Sequence, residues 1–275
     1  MRRAIFPAIA AGTLGGCLLT IDESRIGALD ASAPEAGGAD ASAIDACATC
    51  GERPPSSCRE VLAANPSAPS GLHTIAFGGT NLPVHCDMET DGGGFTLVFR
   101  VTSGLAGDPY ALYVGPAQND ERPEEATPVA TNAHYVSRLL AHWNVDFPVA
   151  QARVRLLDGA GARVAEMVFD AKGTTPTSFF AKEHLLESPW SDTKEASFFS
   201  IVGDANDQRR FFVHKPYATC ETDEGWLIVH GANTFGFCPY ETPFDRIRIL
   251  YARGTTAQRW SALVTEARAF DVLVR

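Results

Sequence analysis

The side chains able to do acid–base, nucleophilic or metal chemistry lie mostly singly along this chain. Seven histidines are scattered through it. His184 follows Glu183 in a helix-like piece, where adjacent residues do not face one another. His134 and His142 share one helix face with Arg138 between them, which reads as a polar face rather than a site. Gly-x-Ser-x-Gly, His-Glu-x-x-His and a Gly-x-x-x-x-Gly-Lys phosphate loop are all missing from the sequence. No catalytic constellation is legible among these residues. Asp204-Ala205-Asn206-Asp207 holds two carboxylates and reads as a solvated Asx turn, capped by its Asp and Asn side chains. His230, Asn233, Phe235, Phe237 and Tyr240 form an aromatic group with a few polar handles. Such a group suits a sugar or an acetyl group, because ligand pockets are apolar with sparse polar anchors. Filling a core is the alternative use of the same aromatics.

There are seven cysteines. Cys17 lies at the end of an apolar run, and the other six are Cys47, Cys50, Cys58, Cys86, Cys220 and Cys238. An even number in an exported chain reads as disulfides, with 15 connectivities open for six cysteines. Cys47-x-x-Cys50 also matches half a zinc or redox motif. The second half does not follow, so the metal reading is set aside.

Met1, Arg2 and Arg3 precede the apolar run Ala4 to Leu14, and Gly15-Gly16-Cys17 closes it. A charged start, a short apolar run and small residues are the pattern of a secretory signal, here residues 1–16. A bilayer span needs about 20 apolar residues, so this run is not a permanent span. Leu14-Gly15-Gly16-Cys17 resembles the bacterial lipobox, which implies lipid on Cys17. With Leu at position 18, that resemblance points to the outer membrane or cell surface. Residues 17–56 are rich in Ala, Asp, Ser, Gly and Pro and poor in bulky apolar side chains. They read as a disordered tether, spanning roughly 30–35 Å as a root-mean-square distance. The formal net charge is -10, and no Lys/Arg run interrupts it. Nucleic acid is excluded as a partner, since it requires a basic footprint.

Residues 57–275 remain for the globular part, enough chain for one sizeable core. Ala152–Asp158 and Arg163–Asp170 flank Gly159-Ala160-Gly161 and read as a hairpin. Asn132–Trp143 repeats apolar residues with a helical period, and Ser178–Leu186 reads as a second short helix. Arg210–His214, Trp226–His230 and Arg246–Tyr251 read as strands. So does the end of the chain, where Phe270, Val272 and Val274 alternate with Asp271 and Leu273. The fold class expected is α+β, with a mixed antiparallel sheet, short helices and long loops.

One block is more specific. It contains Ser57-Cys58-Arg59-Glu60-Val61, then Asn65-Pro66 to Gly71-Leu72-His73-Thr74-Ile75. After these come Val84-His85-Cys86-Asp87-Met88 and Gly92-Gly93-Gly94-Phe95-Thr96. This block resembles the start of a fibrinogen-related domain, a start the intelectins share, with Phe95 in place of the usual Trp. The resemblance implies a fibrinogen C-terminal-like fold, with residues 57–100 as an N-terminal disulfide subdomain and 101–275 as the central and C-terminal parts. It implies the bridges Cys58–Cys86 and Cys220–Cys238, which leaves Cys47 and Cys50 to each other. It also places Asp204, Asn206 and Asp207 at a calcium loop, and His230, Asn233, Phe235 and Tyr240 around a ligand pocket shaped by the second bridge. The function implied is lectin-like recognition of a glycan or acetylated ligand, supported by calcium. The alternative is an envelope lipoprotein that binds a protein partner and no sugar.

Overall fold

The computed structural model describes residues 53–123, 133–217, 219–232 and 238–275. The signal sequence, Cys17, the Cys47–Cys50 pair and the tether up to residue 52 lie outside the described residues. The last tether residues, 53–56, are described, and the Pro55 carbonyl accepts from the Ala76 amide at 2.8 Å. No helix among the described residues is long and apolar enough to cross a membrane.

The chain enters through a short helix, α1 (Cys58–Ala64). Ser57 begins it, its hydroxyl accepting from the Glu60 amide at 3.2 Å. The Glu60 carboxylate reaches back to the Ser56 amide at 2.6 Å. Backbone donors that a helix start leaves unpaired are thus satisfied by side chains. Strands β1 (Gly71–Phe77) and β2 (Thr80–Asp87) follow as a hairpin. Gly78 and Gly79 close it with φ of 58° and 77°, a tight turn that favours two residues at positive φ. The Cys58–Cys86 bridge, with 5.6 Å between Cα atoms, pins α1 to β2 as expected.

The run Gly92-Gly93-Gly94 then delivers β3 (Phe95–Thr102), a strand with no exposed residue. Phe95 is fully buried, in the core position expected for the aromatic at the end of the glycine run. A Cβ on Gly93 would sit 2.0 Å from the Met88 carbonyl oxygen, so only glycine fits.

Strands β4 (Tyr135–Val136), β5 (Gln151–Leu157), β6 (Arg163–Asp170) and β7 (Leu185–Glu187) come next. β5 and β6 are the hairpin expected there. The final strand, β14 (Ala269–Val274), inserts antiparallel between β3 and β5. Among the described residues the first sheet runs β1-β2-β3-β14-β5-β6-β7, with β4 on β3. The alternation seen in β14 is present, but both faces are buried. Phe270, Val272 and Val274 enter the main core, whereas Leu273 packs with Phe95, Leu97 and Tyr135. Asp271 is fully buried and is held by Arg100 (2.6 Å, two bonds) and Arg155 (3.2 Å). Burial opposes the charge of Asp271, yet the two guanidiniums hold its carboxyl below the usual range.

The second sheet contains β8 (Phe198–Ser200), β9 (Arg209–His214), β10 (Glu224–His230), β11 (Arg248–Tyr251) and β13 (Thr265–Ala267). Its order is β13-β11-β10-β9-β8, and β12 (Gln258–Arg259) attaches to β10. The two sheets share one core. Phe211 lies 4.5 Å from Phe270 and 5.9 Å from Phe99, ring centre to ring centre. Tyr113 of α2 (Pro109–Val114) sets its edge against Phe99 and Phe211. The β9–β10 register shifts beside this point. As a result Phe211 and Phe212 both turn inward, Phe211 to the main core and Phe212 to a smaller one with Ile228, Leu250 and Trp260.

Two expected helices are corrected. In Asn132–Trp143, Tyr135 and Val136 pair with β3, and a 3-10 helix, Arg138–His142, follows. Sheet pairing of Tyr135 and Val136 overrides the helical period there. His134 and His142 therefore do not share a helix face. His134 Nδ1 accepts from the Thr102 amide (3.2 Å), and His142 pairs with Asp146 (3.0 Å). Ser178–Leu186 contains only a 3-10 turn, Lys182–His184, before β7. Pairing of Leu185 with Phe169 of β6 draws the end of this stretch into the sheet.

Candidate functional site

The second bridge, Cys220–Cys238, is present as the resemblance implied, with Cα atoms 5.3 Å apart. The residues named around it are arranged differently from the expectation. His230 and Tyr240 are buried, so they do not form an open aromatic surface. Asn233, Phe235 and Phe237 lie outside the described residues.

The Asp204 loop is a tight turn at the head of β9. Asp204 and Arg209 exchange two backbone hydrogen bonds (2.8 and 3.0 Å). Asp204 Oδ1 accepts from the amides of Asn206 (3.0 Å) and Asp207 (3.3 Å), and Oδ2 accepts from the Tyr217 hydroxyl (3.1 Å). This is an Asx turn whose carboxylate is already satisfied. Asp207 faces a guanidinium, with Oδ2 3.7 Å from Arg209 Nη1. Gly203 permits the close return of the chain, because a Cβ there would lie 1.9 Å from the Arg209 carbonyl oxygen. The donor set does not fit calcium. It offers one satisfied carboxylate and one turned toward an arginine, and no group of three or more His, Cys, Asp or Glu among the described residues is placed for a metal.

Arg209 is the cation around which this end is built. Its side chain is 2% exposed. Nε donates to Glu241 Oε1 at 2.6 Å, and Nη2 donates to the Tyr240 hydroxyl at 3.2 Å. That hydroxyl donates to Asp223 Oδ2 at 2.8 Å. The guanidinium also lies over the Tyr217 ring, 5.0 Å from its centre. Burial works against the charge on Arg209, and the Glu241 carboxylate overcomes it, leaving the guanidinium firmly ionised. Burial raises the Asp207 carboxyl, helped by the neighbouring acids Asp204, Glu241 and Asp223 and resisted by Arg209. It also pushes the Tyr240 and Tyr217 hydroxyls up, so both stay protonated donors.

His230 lies on β10 with Nε2 3.9 Å from Glu241 Oε1. Burial depresses its pKa despite that carboxylate, so the ring is neutral. His214 is similar. Its Nδ1 donates to the Lys215 carbonyl (2.6 Å), and burial lowers its pKa to about 4.

The described residues next to 233–237 are hydrogen-bonded to the rest of the domain. The Gly231 amide donates to the Gln208 carbonyl and the Ala232 amide to the Gly107 carbonyl, each at 2.8 Å. On the far side the Cys238 amide donates to Glu241 Oε2 at 3.0 Å. Glu241 thus joins the buried arginine to the disulfide. Arg210, next to Arg209, points the other way and clamps Asp108 with two bonds (3.0 and 2.6 Å), tying β9 to the start of α2.

Sequence reasoning missed Arg209, Glu241, Asp223 and Tyr217. The signal available was the doublet Arg209-Arg210 opening an otherwise apolar strand, since buried arginine requires paired carboxylates.

No family model matches this sequence, and no curated protein matches it. Solved structures similar to the chain are fibrinogen-like globe domains. One is that of human ANGPTL6, at 17% identity and a TM-score of 0.41 over 81% of this chain and 95% of that one. Another is that of human ANGPTL2, at 12% identity and 0.40 over 81% and 99%. A third is lamprey fibrin D-dimer in complex with the peptide Gly-His-Arg-Pro-amide, at 13% identity and 0.41 over 79% and 72%.

Proposed function

We propose that this chain is a non-enzymatic, fibrinogen-related binding module displayed outside the cell on a lipid anchor at Cys17. Its recognition surface is the end of the domain at the Cys220–Cys238 bridge, and its ligand is a glycan or an acetylated group.

The observation that carries the reading is the rigid base of the Cys220–Cys238 end. The Arg209–Glu241 ion pair is buried, Glu241 accepts from the Cys238 amide, and the disulfide ties Cys238 to Cys220. Recognition loops act best on a rigid scaffold. The ionisable groups there are engaged with one another and are 6% exposed or less for Arg209, Asp223, Tyr240 and Glu241. They support shape and leave substrate-facing proton transfer unserved. The block Cys58 to Phe95 and both bridges support the family reading.

Calcium forms no part of this reading, since the Asp204 loop lacks the donors. A broad glycan array, probed with the full-length chain with and without chelator, tests it. Selective binding unaffected by chelator is expected. No signal in either condition would move recognition to a protein partner, to be sought by pull-down from envelope extract in the presence of free sugars.

A further inference from the structure

A groove of about 610 Å³ opens between α1 and the turn around Phe147. A second cavity of about 450 Å³ adjoins it and shares Arg59, Lys172 and Arg275 as walls. Neither includes a residue of the Cys220–Cys238 end. The floor is apolar, with Phe77, Phe147 and Val149 contributing, and Phe77 and Phe147 meet edge to face at 6.2 Å.

The rim is charged, and its charges are unequal in one respect. Of the acids that line it, Glu60 is paired with Arg53 and bonded to Ser56, and Asp146 is hydrogen-bonded to the His142 ring. The cations are not balanced in that way. Arg59 and Lys172 are exposed, and their charged ends meet no acidic partner among the described residues. Arg275 is fixed in place by Gln151 Oε1 (2.7 and 2.9 Å) and by the carbonyls of Asp91 and Gly93 (3.0 Å each). It also lies over the Phe95 ring, 4.4 Å from its centre. Burial and the neighbouring cations Arg153 and Arg59 make its charge harder to hold, and Asp91 only partly offsets them. Cations so crowded are relieved by an anion arriving between them. On a chain of formal net charge -10, a local positive rim over an apolar floor stands against the overall field and selects by it.

We infer that this groove is a second binding site, taking a small organic anion whose carboxylate, sulfate or phosphate head meets Arg59, Lys172 and Arg275 while an apolar body lies on Phe77 and Phe147. The head supplies the missing counter-charge, and the body removes apolar surface from water. The site is independent of the glycan reading, because its residues lie apart from the second bridge.

Calorimetry on the full-length chain with benzoate, phenyl sulfate and phenyl phosphate tests it, with benzyl alcohol as the neutral control. At least one anion should bind saturably at millimolar concentration, weakening as salt is raised. The double variant Arg59→Ala, Lys172→Ala should bind it about tenfold more weakly or worse. Both side chains are exposed, so this variant keeps its fold, as circular dichroism would verify. Lys172→Glu alone should weaken binding further than Lys172→Ala. The inference is overturned if none of the three anions binds, if benzyl alcohol binds equally well, or if the double variant binds unchanged. A negative result on the glycan array would leave it standing.

Discussion

Arg209 Nε lies 2.6 Å from Glu241 Oε1, and neither side chain is more than 2% exposed. Two charges removed from water in this way stabilise little as a pair compared with apolar residues of the same shape. Removing one partner alone is costly, because the other stays buried and uncompensated. Glu241→Ala should therefore destabilise the domain by about 3–5 kcal/mol. Tyr240→Phe, which removes the hydroxyl linking Arg209 to Asp223, should cost about 1–3 kcal/mol. Thermal denaturation of both variants checks this, and equal Tm shifts would contradict the ranking.

Acid should weaken the fold in two windows. His214 is fully buried, and its pKa falls from 6.5 to about 4 on folding. Burial also lowers the pKa values of His85, His134 and His230. Below pH 6.5 the unfolded chain takes up protons that the folded chain refuses, so stability falls as pH drops. For His214 the loss is about 1.4 kcal/mol per pH unit between 6.5 and 4. Below the ordinary carboxylate range, protonation of Asp271 removes a further contribution. Urea denaturation across pH should show a shallower slope in His214→Gln between pH 6.5 and 4. An unchanged slope would mean that His214 titrates normally.

Three glycines at positive φ should respond differently to alanine. Gly93 and Gly203 have backbone oxygens within 2.0 Å of the added Cβ, whereas Gly78 has nothing within 4 Å. Gly93→Ala and Gly203→Ala should each cost about 3 kcal/mol or more, from strain and clash together. Gly78→Ala should cost about 1–2 kcal/mol, the left-handed penalty alone. Chemical denaturation of the three variants gives the order directly.

Calcium should produce no saturable heat attributable to the Asp204 loop. The double variant Asp204→Ala, Asp207→Ala should therefore match the parent chain in a calcium titration. Its folding stability should nevertheless drop, because the Asx turn and the Tyr217 contact are lost. Calcium binding that disappears in this variant would show that the loop rearranges around the ion.

Some features were legible because they are local. The hairpin of β5 and β6, the glycine run before Phe95 and the final strand are set by alternation and by turn residues that allow only certain φ values. Other features were misread because tertiary contacts overrode a local preference. Tyr135 and Val136 left the helical period to pair with β3, and His230 and Tyr240 went inside.

The amino-acid sequence by itself determined an acidic, cysteine-bearing α+β domain, the block from Cys58 to Phe95 and the cysteines available for its bridges. These follow from composition, residue spacing and resemblance along the chain. Only the tertiary structure decided that Arg209 meets Glu241 across 32 residues, that Asp271 sits between Arg100 and Arg155, and that Arg59, Lys172 and Arg275 line one groove. The physical reason is that charge pairing acts over a few ångströms of space, and distance along the sequence does not set it.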